Sequence, residues 1–221
     1  MANGNGAGRR AGLDADDILD RALALVEAEG TAALTMRRLA AELGVATTSI
    51  YWHVGNRDDL VTAAVRRHGD RVARTPVAGD TPRQRVLHVA RLIWQNSLEH
   101  REITRLAAEH RASTLHARPL ELAMARELEA AGVVGEAARD AMRAITACVG
   151  GFIVAGLRTD LTPEPLQRTA VLVDDDGAAD LDPSTRAALA KPADLPAVFE
   201  TTMRVVVDSV VPADLSANAY L

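Results

Sequence analysis

The sequence is poor in the residues that hold small secreted or metal-bound folds together. One cysteine, Cys148, stands among 221 residues. That excludes a disulfide framework and a cysteine-rich metal site, and it fits a reducing cytoplasm. Aromatic residues make up only 3% of the chain, too few for the aromatic and β-branched runs of a β-sandwich. No uninterrupted apolar run reaches the ~18–20 residues that cross a bilayer. The opening MANGNGAGRR has no apolar stretch behind its arginines, so neither a membrane anchor nor a signal peptide is expected. Its GNGAG string looks like part of a dinucleotide fingerprint, but no strand precedes it and the context fails. Positive charge is not in excess either. A net charge of −5 argues against a protein that coats nucleic acid everywhere, yet leaves room for a small DNA-reading face. Residues 1–75 hold ten Arg against ten Asp plus Glu, so the remaining fifteen Lys plus Arg and twenty acids carry the whole −5. The first third is the relatively basic end.

Ala, Leu, Arg and Glu dominate what is there, and these are helix formers. Residues 1–12 read as a flexible arm carrying Arg9 and Arg10. A helix is predicted over about 14–29, capped by Asp14 and stopped by Gly30, with Ile18, Ala22, Leu25 and Val26 as its apolar stripe. Thr35 caps a short helix with Met36, Leu39, Ala40 and Leu43 inward. Gly44 breaks it, a second short helix covers about 46–53, and Asn56 caps a longer one from near Arg57. Thr81-Pro82 starts the next helix, which runs to about His100. Further helices are predicted at about 102–113, 118–131, 136–158, 184–190 and 195–211. Residues 159–183 read as an acidic, proline-containing loop, with one helical piece around Leu166. Ten helices and no strand make an all-α chain. The division expected is a flexible arm over 1–12, a helix-turn-helix DNA-binding domain over 13–75, and a ligand-binding and dimerisation domain over 76–221.

The most informative stretch is LTMRRLAAELGVATTSIYWHVGNRDDL. Two short helices meet at Gly44 through a turn too tight for an antiparallel hairpin, the helix-turn-helix arrangement whose second helix enters the major groove. Thr47, Thr48, Ser49, Tyr51, Trp52 and His53 make that second helix a poor core element. Hydroxyls reach base edges or phosphates, and the rings offer a flat apolar body with a polar tip. Arg37 could reach a guanine edge or a phosphate. Arg57, with free N–H groups at the start of the following helix, would form an anion site. A helical hairpin inside an ordinary bundle, with Tyr51 and Trp52 packed inward, satisfies the same pattern.

These residues carry a family resemblance. The first 75 residues resemble the DNA-binding domain of TetR-family transcriptional repressors, and YWHV followed by Asn56 and a basic residue resembles most narrowly the tetracycline-binding branch. The resemblance implies that Arg37, Thr47, Thr48, Ser49, Tyr51, Trp52, His53 and Arg57 face double-stranded operator DNA. Met36 departs from a DNA-contacting threonine, and Thr47-Thr48 replaces a Gln-Pro pair, so a different base preference is implied. Past about residue 75 the likeness persists mainly as helix order. The family also implies a homodimer, a cytoplasmic location and a small-molecule effector, with no cofactor and no membrane. The drug-holding residues of the tetracycline-binding branch fall on Ala73, Val89, Ile93 and a position near Thr114, and none is retained. A largely apolar or aromatic effector is therefore expected, with Trp94, His110, Thr114, Thr146 and Phe152 as the residues chosen to line its pocket.

Dimerisation has its own physical argument. Gly150 and Gly151 sit in mid-helix, where each costs about 1 kcal/mol relative to alanine, and small residues permit close helix approach. The last helix carries Val205, Val206, Val207, Val210 and Val211, more apolar surface than one face needs. Two such helices per subunit would build a four-helix bundle across a two-fold axis; both could equally be central within a monomer. No enzyme is expected. His100 with Glu102, and Glu109 with His110, do not make HExxH. Asp174, Asp175, Asp176 and Gly177 lack the alternating spacing of a calcium loop. Cys148 reads as an inert buried thiol. The competing function is a helical small-molecule-binding or scaffold protein that does not read DNA.

Overall fold

A computed structural model describes residues 14–158, 180–192 and 194–212. Among the described residues there are ten α-helices, one three-residue 3-10 turn and no strand. The all-α expectation therefore holds. The arm placed at 1–12, the helical piece around Leu166 and the acidic loop up to residue 179 lie outside the described residues.

Four helices form an N-terminal head. Helix α1 (Ala15–Glu29) starts where the Asp14 carboxylate accepts the Asp16 N–H, carries Asp16 and Asp17 in its first turn, and ends at Gly30 with φ 84°. The Thr35 hydroxyl accepts the Arg38 N–H to open α2 (Met36–Leu43). Helices α3 (Thr47–Val54) and α4 (Arg57–Val72) follow. Ile18, Leu34, Leu39, Ile50, Leu60 and Val65 meet in one core without solvent exposure. Each such side chain contributes roughly 1.5–3 kcal/mol over an exposed one.

The body contains α5 (Pro82–Glu99), α6 (Arg101–Glu109), α7 (Ser113–Ala130), α8 (Gly135–Arg158), α9 (Pro183–Leu189) and α10 (Leu195–Val210). Its core gathers Val89, Met124, Ile145, Phe199, Met203 and Val207 from four of these. Helix α6 behaves differently. Its Ile103, Leu106 and Ala107 pack into the head's core, with Ala112 beside them. The head is thus closed by an element that lies beyond residue 75 in the sequence.

Two boundaries differ from the sequence reading. Helix α6 ends at Glu109 rather than near 113, because Arg111 takes a positive φ of 54° and Ala112 turns into the core. Helix α7 begins at Ser113 rather than 118 and holds Pro119 inside it. A proline there removes one backbone hydrogen bond. Burial of His116, Leu120, Met124 and Leu128 along one face outweighs that loss.

Candidate nucleic-acid interface and effector groove

Gly44 sits in the left-handed region at φ 67°, ψ 31°, which lets the chain leave α2 and start α3 within three residues. The Val45 N–H returns to the Ala40 carbonyl at 3.0 Å, and Val45 packs against the head's core. Ile50 is the one buried residue of α3. An eight-residue helix is marginal alone, so Ile50 and its partly buried neighbours Val45 and Val54 hold it in place. Its other side faces out. Trp52 is 83% exposed, Tyr51 49%, and Thr48 is exposed as well, while Thr47, Ser49 and His53 are half-buried. The Trp52 ring meets His53 edge-on at 5.0 Å. On α2, Arg38 is held by Glu29 at 2.8 Å and Glu42 at 3.0 Å, whereas Arg37 is exposed and makes no ion pair with a described residue. Tyr51 and Trp52 are not packed inward as a plain bundle hairpin requires.

The anion site expected at the start of α4 does not form. The Asn56 side chain accepts the N–H groups of Asp58 (2.8 Å) and Asp59 (3.0 Å), and the Asp59 carboxylate accepts the Asn56 N–H. The donors are used within the chain, and two carboxylates crowd the same turn. Arg57 turns inward. Its Nε donates to the Leu34 carbonyl at 3.1 Å, and its Nη1 lies 2.9 Å from His110 Nε2. His110, chosen from the sequence as an effector contact, also lies 3.3 Å from Asp58. It belongs to the joint between α4 and the end of α6.

A second polar joint lies between α4, α5 and α7. His68 and His116 are buried, with ring centroids 5.1 Å apart, and His100 stands 4.6 Å from His68. Asn96 bridges the buried pair, its side chain 3.3 Å from each Nε2. Burial pushes both His68 and His116 down to about 4, helped in each by the neighbouring histidine charge. Beside them α4 and α7 touch backbone to backbone, since a Cβ on Gly69 would fall 2.4 Å from the His116 carbonyl oxygen. Among the described residues no group of three His, Cys, Asp or Glu is placed to hold a metal.

A groove of about 210 Å³ opens between α5, α7 and α8. Thr114, Ala117 and Glu121 line it from one face of α7, Thr146 and Val149 from α8, and Ile93 from α5. Of the five residues picked from the sequence as effector contacts, Thr114 and Thr146 line this groove. Trp94 and Phe152 instead flank Phe199 in the body core, the first stacked at 4.2 Å and the second edge-on at 5.2 Å. Glu121, not among the five, also lines the groove. Its spacing of i+7 from Thr114, with Ala117 between, was the available signal. A larger cleft of about 520 Å³ runs between α1 and α4, but its Arg67 and Arg71 are bound by Asp16 and Asp20, a salt-bridged surface.

The glycine pair of α8 makes no close approach to any described residue. A Cβ on Gly150 or Gly151 would meet nothing within 4 Å; the close contact falls at Gly156, against Leu98 of α5. Arg143, Ala147, Gly151, Val154 and Arg158 form an exposed stripe along α8, and Val198, Thr201, Val205 and Ser209 one along α10. Val154 is 52% exposed and Val205 64%. Val207 and Val211 are buried within the chain, so the last helix has two apolar sides. Helix α8 is long and apolar enough to cross a bilayer by length and composition, although no uninterrupted run shows this. Cys148 is half-buried rather than enclosed.

A helix-turn-helix head with its second helix turned outward, on an all-helical body, defines a class of DNA-binding regulator. Residues 18–64 match the bacterial regulatory proteins of the tetR family. The tetracycline repressor protein class E of Escherichia coli is 37% identical over 68 residues, 29% of this chain and 32% of that protein. The chain matches about a third of the length of such relatives. Two structures from Streptomyces coelicolor cover far more. A transcriptional regulator described as a TetR superposes with a TM-score of 0.71 at 22% identity, over 90% of this chain and 98% of that one. ActR in complex with actinorhodin gives 0.64 at 22%, over 90% and 97%. These two extend the fold likeness through the body. The N-terminal head thus carries a helix-turn-helix domain that matches the tetR family, on a body whose fold is similar to that of these two structures.

Proposed function

We propose that the protein is a ligand-responsive transcriptional repressor, not an enzyme, that binds a palindromic operator as a homodimer and is released by a small-molecule effector. The reading divides the chain into an arm (1–12), a DNA-binding domain (13–75) and a ligand-binding and dimerisation domain (76–221), with the cytoplasm as its location. The observation that carries it is α3. A helix that buries only Ile50 and presents Thr48, Tyr51 and Trp52, with Arg37 exposed on the preceding helix, is shaped to enter a major groove. Arg57 supports the head from within by its bonds to Leu34 and His110.

The exposed stripes of α8 and α10 supply a largely small-residue and apolar face for a second copy, and an isologous contact uses this same combined face on both subunits. Two heads then sit near the ~34–36 Å spacing of successive major grooves. The groove between α5, α7 and α8 is where we place the effector. Thr114 lies five residues beyond the end of α6, whose side chains pack in the head's core. Ligand that favours one placement of α6 and α7 shifts the separation of the heads, and only a difference in affinity between the two arrangements is needed.

Electrophoretic mobility shift on a palindromic duplex, repeated across a salt series, tests this. Specific retention with log K falling steeply against log salt is expected from phosphate contacts. A protein that retains no palindrome selected from random duplexes is the ligand-binding or scaffold alternative.

A further inference from the structure

The groove between α5, α7 and α8 has an unusual polar lining. Among the described residues its only charged one is Glu121, half-buried on α7, and no ion pair or hydrogen bond from a described residue engages that carboxylate. Thr146 Oγ1 already donates to the Met142 carbonyl at 2.7 Å, so toward the groove it can only accept. Among the described residues no Lys, Arg or His lines the space. Ile93, Ala117 and Val149 supply apolar walls. One carboxylate, with the neutral hydroxyls of Ser113 and Thr114 and no cation, around hydrocarbon, leaves a defined demand. A buried carboxylate lacking a partner is disfavoured in its charged form, and burial does push Glu121 upward from the ordinary carboxylate range.

We propose that this groove selects effectors carrying a protonated amine on a flat apolar body, the ammonium or iminium N–H groups binding Glu121 and the hydrocarbon lying against Ile93 and Val149. The proposal rests on reading the groove as the effector site and adds the charge of its ligand. A neutral compound of the same outline leaves the half-buried Glu121 carboxylate unpaired, and an anion meets it with repulsion. Charge-assisted bonds of this kind are among the stronger ones available to a small ligand. The volume, about 210 Å³, lies below the ~300–1,000 Å³ of drug-sized sites, which fits a compact fused-ring body.

Two near-isosteric probes test it. At mildly alkaline pH 9-aminoacridine is a cation and acridine is neutral. Binding of each to the full chain, without DNA, is followed by probe fluorescence and by calorimetry. The parent protein is expected to bind 9-aminoacridine at least about tenfold more tightly than acridine. Glu121→Gln should remove most of that ratio while leaving acridine within about twofold, and acridine binding doubles as the check that the groove is intact. Equal affinities in the parent, or a ratio unchanged in Glu121→Gln, overturn the amine assignment and leave the groove as a binding site. Failure of the parent to bind either probe overturns the groove reading and the amine assignment together.

Discussion

Acidification should weaken this fold through two residues. His68 and His116 are 5% and 8% exposed, and both are held neutral, at about 4 against an ordinary 6.5. Burial is the first cause in each; His116 and His100 add repulsion at His68, where Asn96 acts in the opposite direction. Because the folded values are depressed, the unfolded chain binds protons that the folded chain refuses. Stability is therefore fully present above about 6.5 and is lost as pH falls toward 4. Integrated from about pH 7.5 to about pH 5.5, each histidine costs about 1.3 kcal/mol, and the pair about 2.5 kcal/mol. For a chain of this size that lowers the melting midpoint by roughly 5–10 °C. Urea or thermal unfolding at the two pH values measures it. The control is the His68→Gln/His116→Gln double variant, which shares the other four histidines and should lose about 2.5 kcal/mol of the pH dependence. A double variant with the same pH dependence as the parent would refute the assignment of these histidines as buried and neutral.

The remaining expectations concern the heads, the interface, the joint and the ligand. Tyr51→Ala and Arg37→Ala should each weaken operator binding by about 1–3 kcal/mol with unfolding midpoints unchanged, measured by anisotropy titration; unaltered binding in both removes α3 from the groove. Gly151→Leu should leave the isolated subunit folded, since no atom of the described residues lies within 4 Å of the new Cβ, but convert dimer to monomer or aggregate in sedimentation. A well-behaved dimer of unchanged stability would place Gly151 outside the contact. Gly69→Ala should cost about 1–3 kcal/mol of stability by driving a methyl into the His116 carbonyl, read from the urea midpoint; a neutral result would mean that α4 and α7 are looser than they are drawn. Magnesium–tetracycline should not release operator at micromolar concentration, because Ala73, Val89 and Ile93 offer its polar edge no partner and each unpaired buried group costs roughly 1–3 kcal/mol.

What the sequence reveals follows the range of the interaction. Caps are local, and Asp14, Thr35, Asn56 and the Thr81-Pro82 pair each begin the helix that their chemistry calls for. The outward side of α3 was also legible, because six polar or amphipathic side chains in seven positions leave little to bury. The α6–α7 corner was not. Its turn depends on Arg111 accepting a positive φ and on Pro119 being carried inside a helix, and both follow from tertiary burial that overrides local preference. Arg57 shows the same limit. A basic residue at a helix start reads as an anion contact until His110, 53 positions away, and the Leu34 carbonyl take up its guanidinium. Glu121 escaped because a lone carboxylate on a helix normally faces water; only the packing of α5 and α8 around it makes it half-buried.

Under the proposed effector reading, the two joints give a small ligand a route to the head without a dedicated wire. The head's core includes Ile103, Leu106 and Ala107 of α6, so α6 cannot shift without disturbing the packing that seats α3. Helix α7 follows α6 after three residues and touches α4 directly at Gly69 and His116. A groove lined by Thr114, Ala117 and Glu121 therefore bears on the first two turns of an element in contact with both. Packed interfaces of this kind shift between discrete arrangements rather than deforming smoothly. A ligand that binds one arrangement a hundredfold more tightly supplies about 2.7 kcal/mol of bias, comparable to the loss of one or two base or phosphate contacts per head. The His68–Asn96–His116 bridge crosses the same α4–α5–α7 seam, so any rearrangement must also keep these buried groups paired. That requirement favours a rigid-body movement of α4 with α7 over a local melting of either helix, since melting would leave two neutral imidazoles and an amide buried without partners.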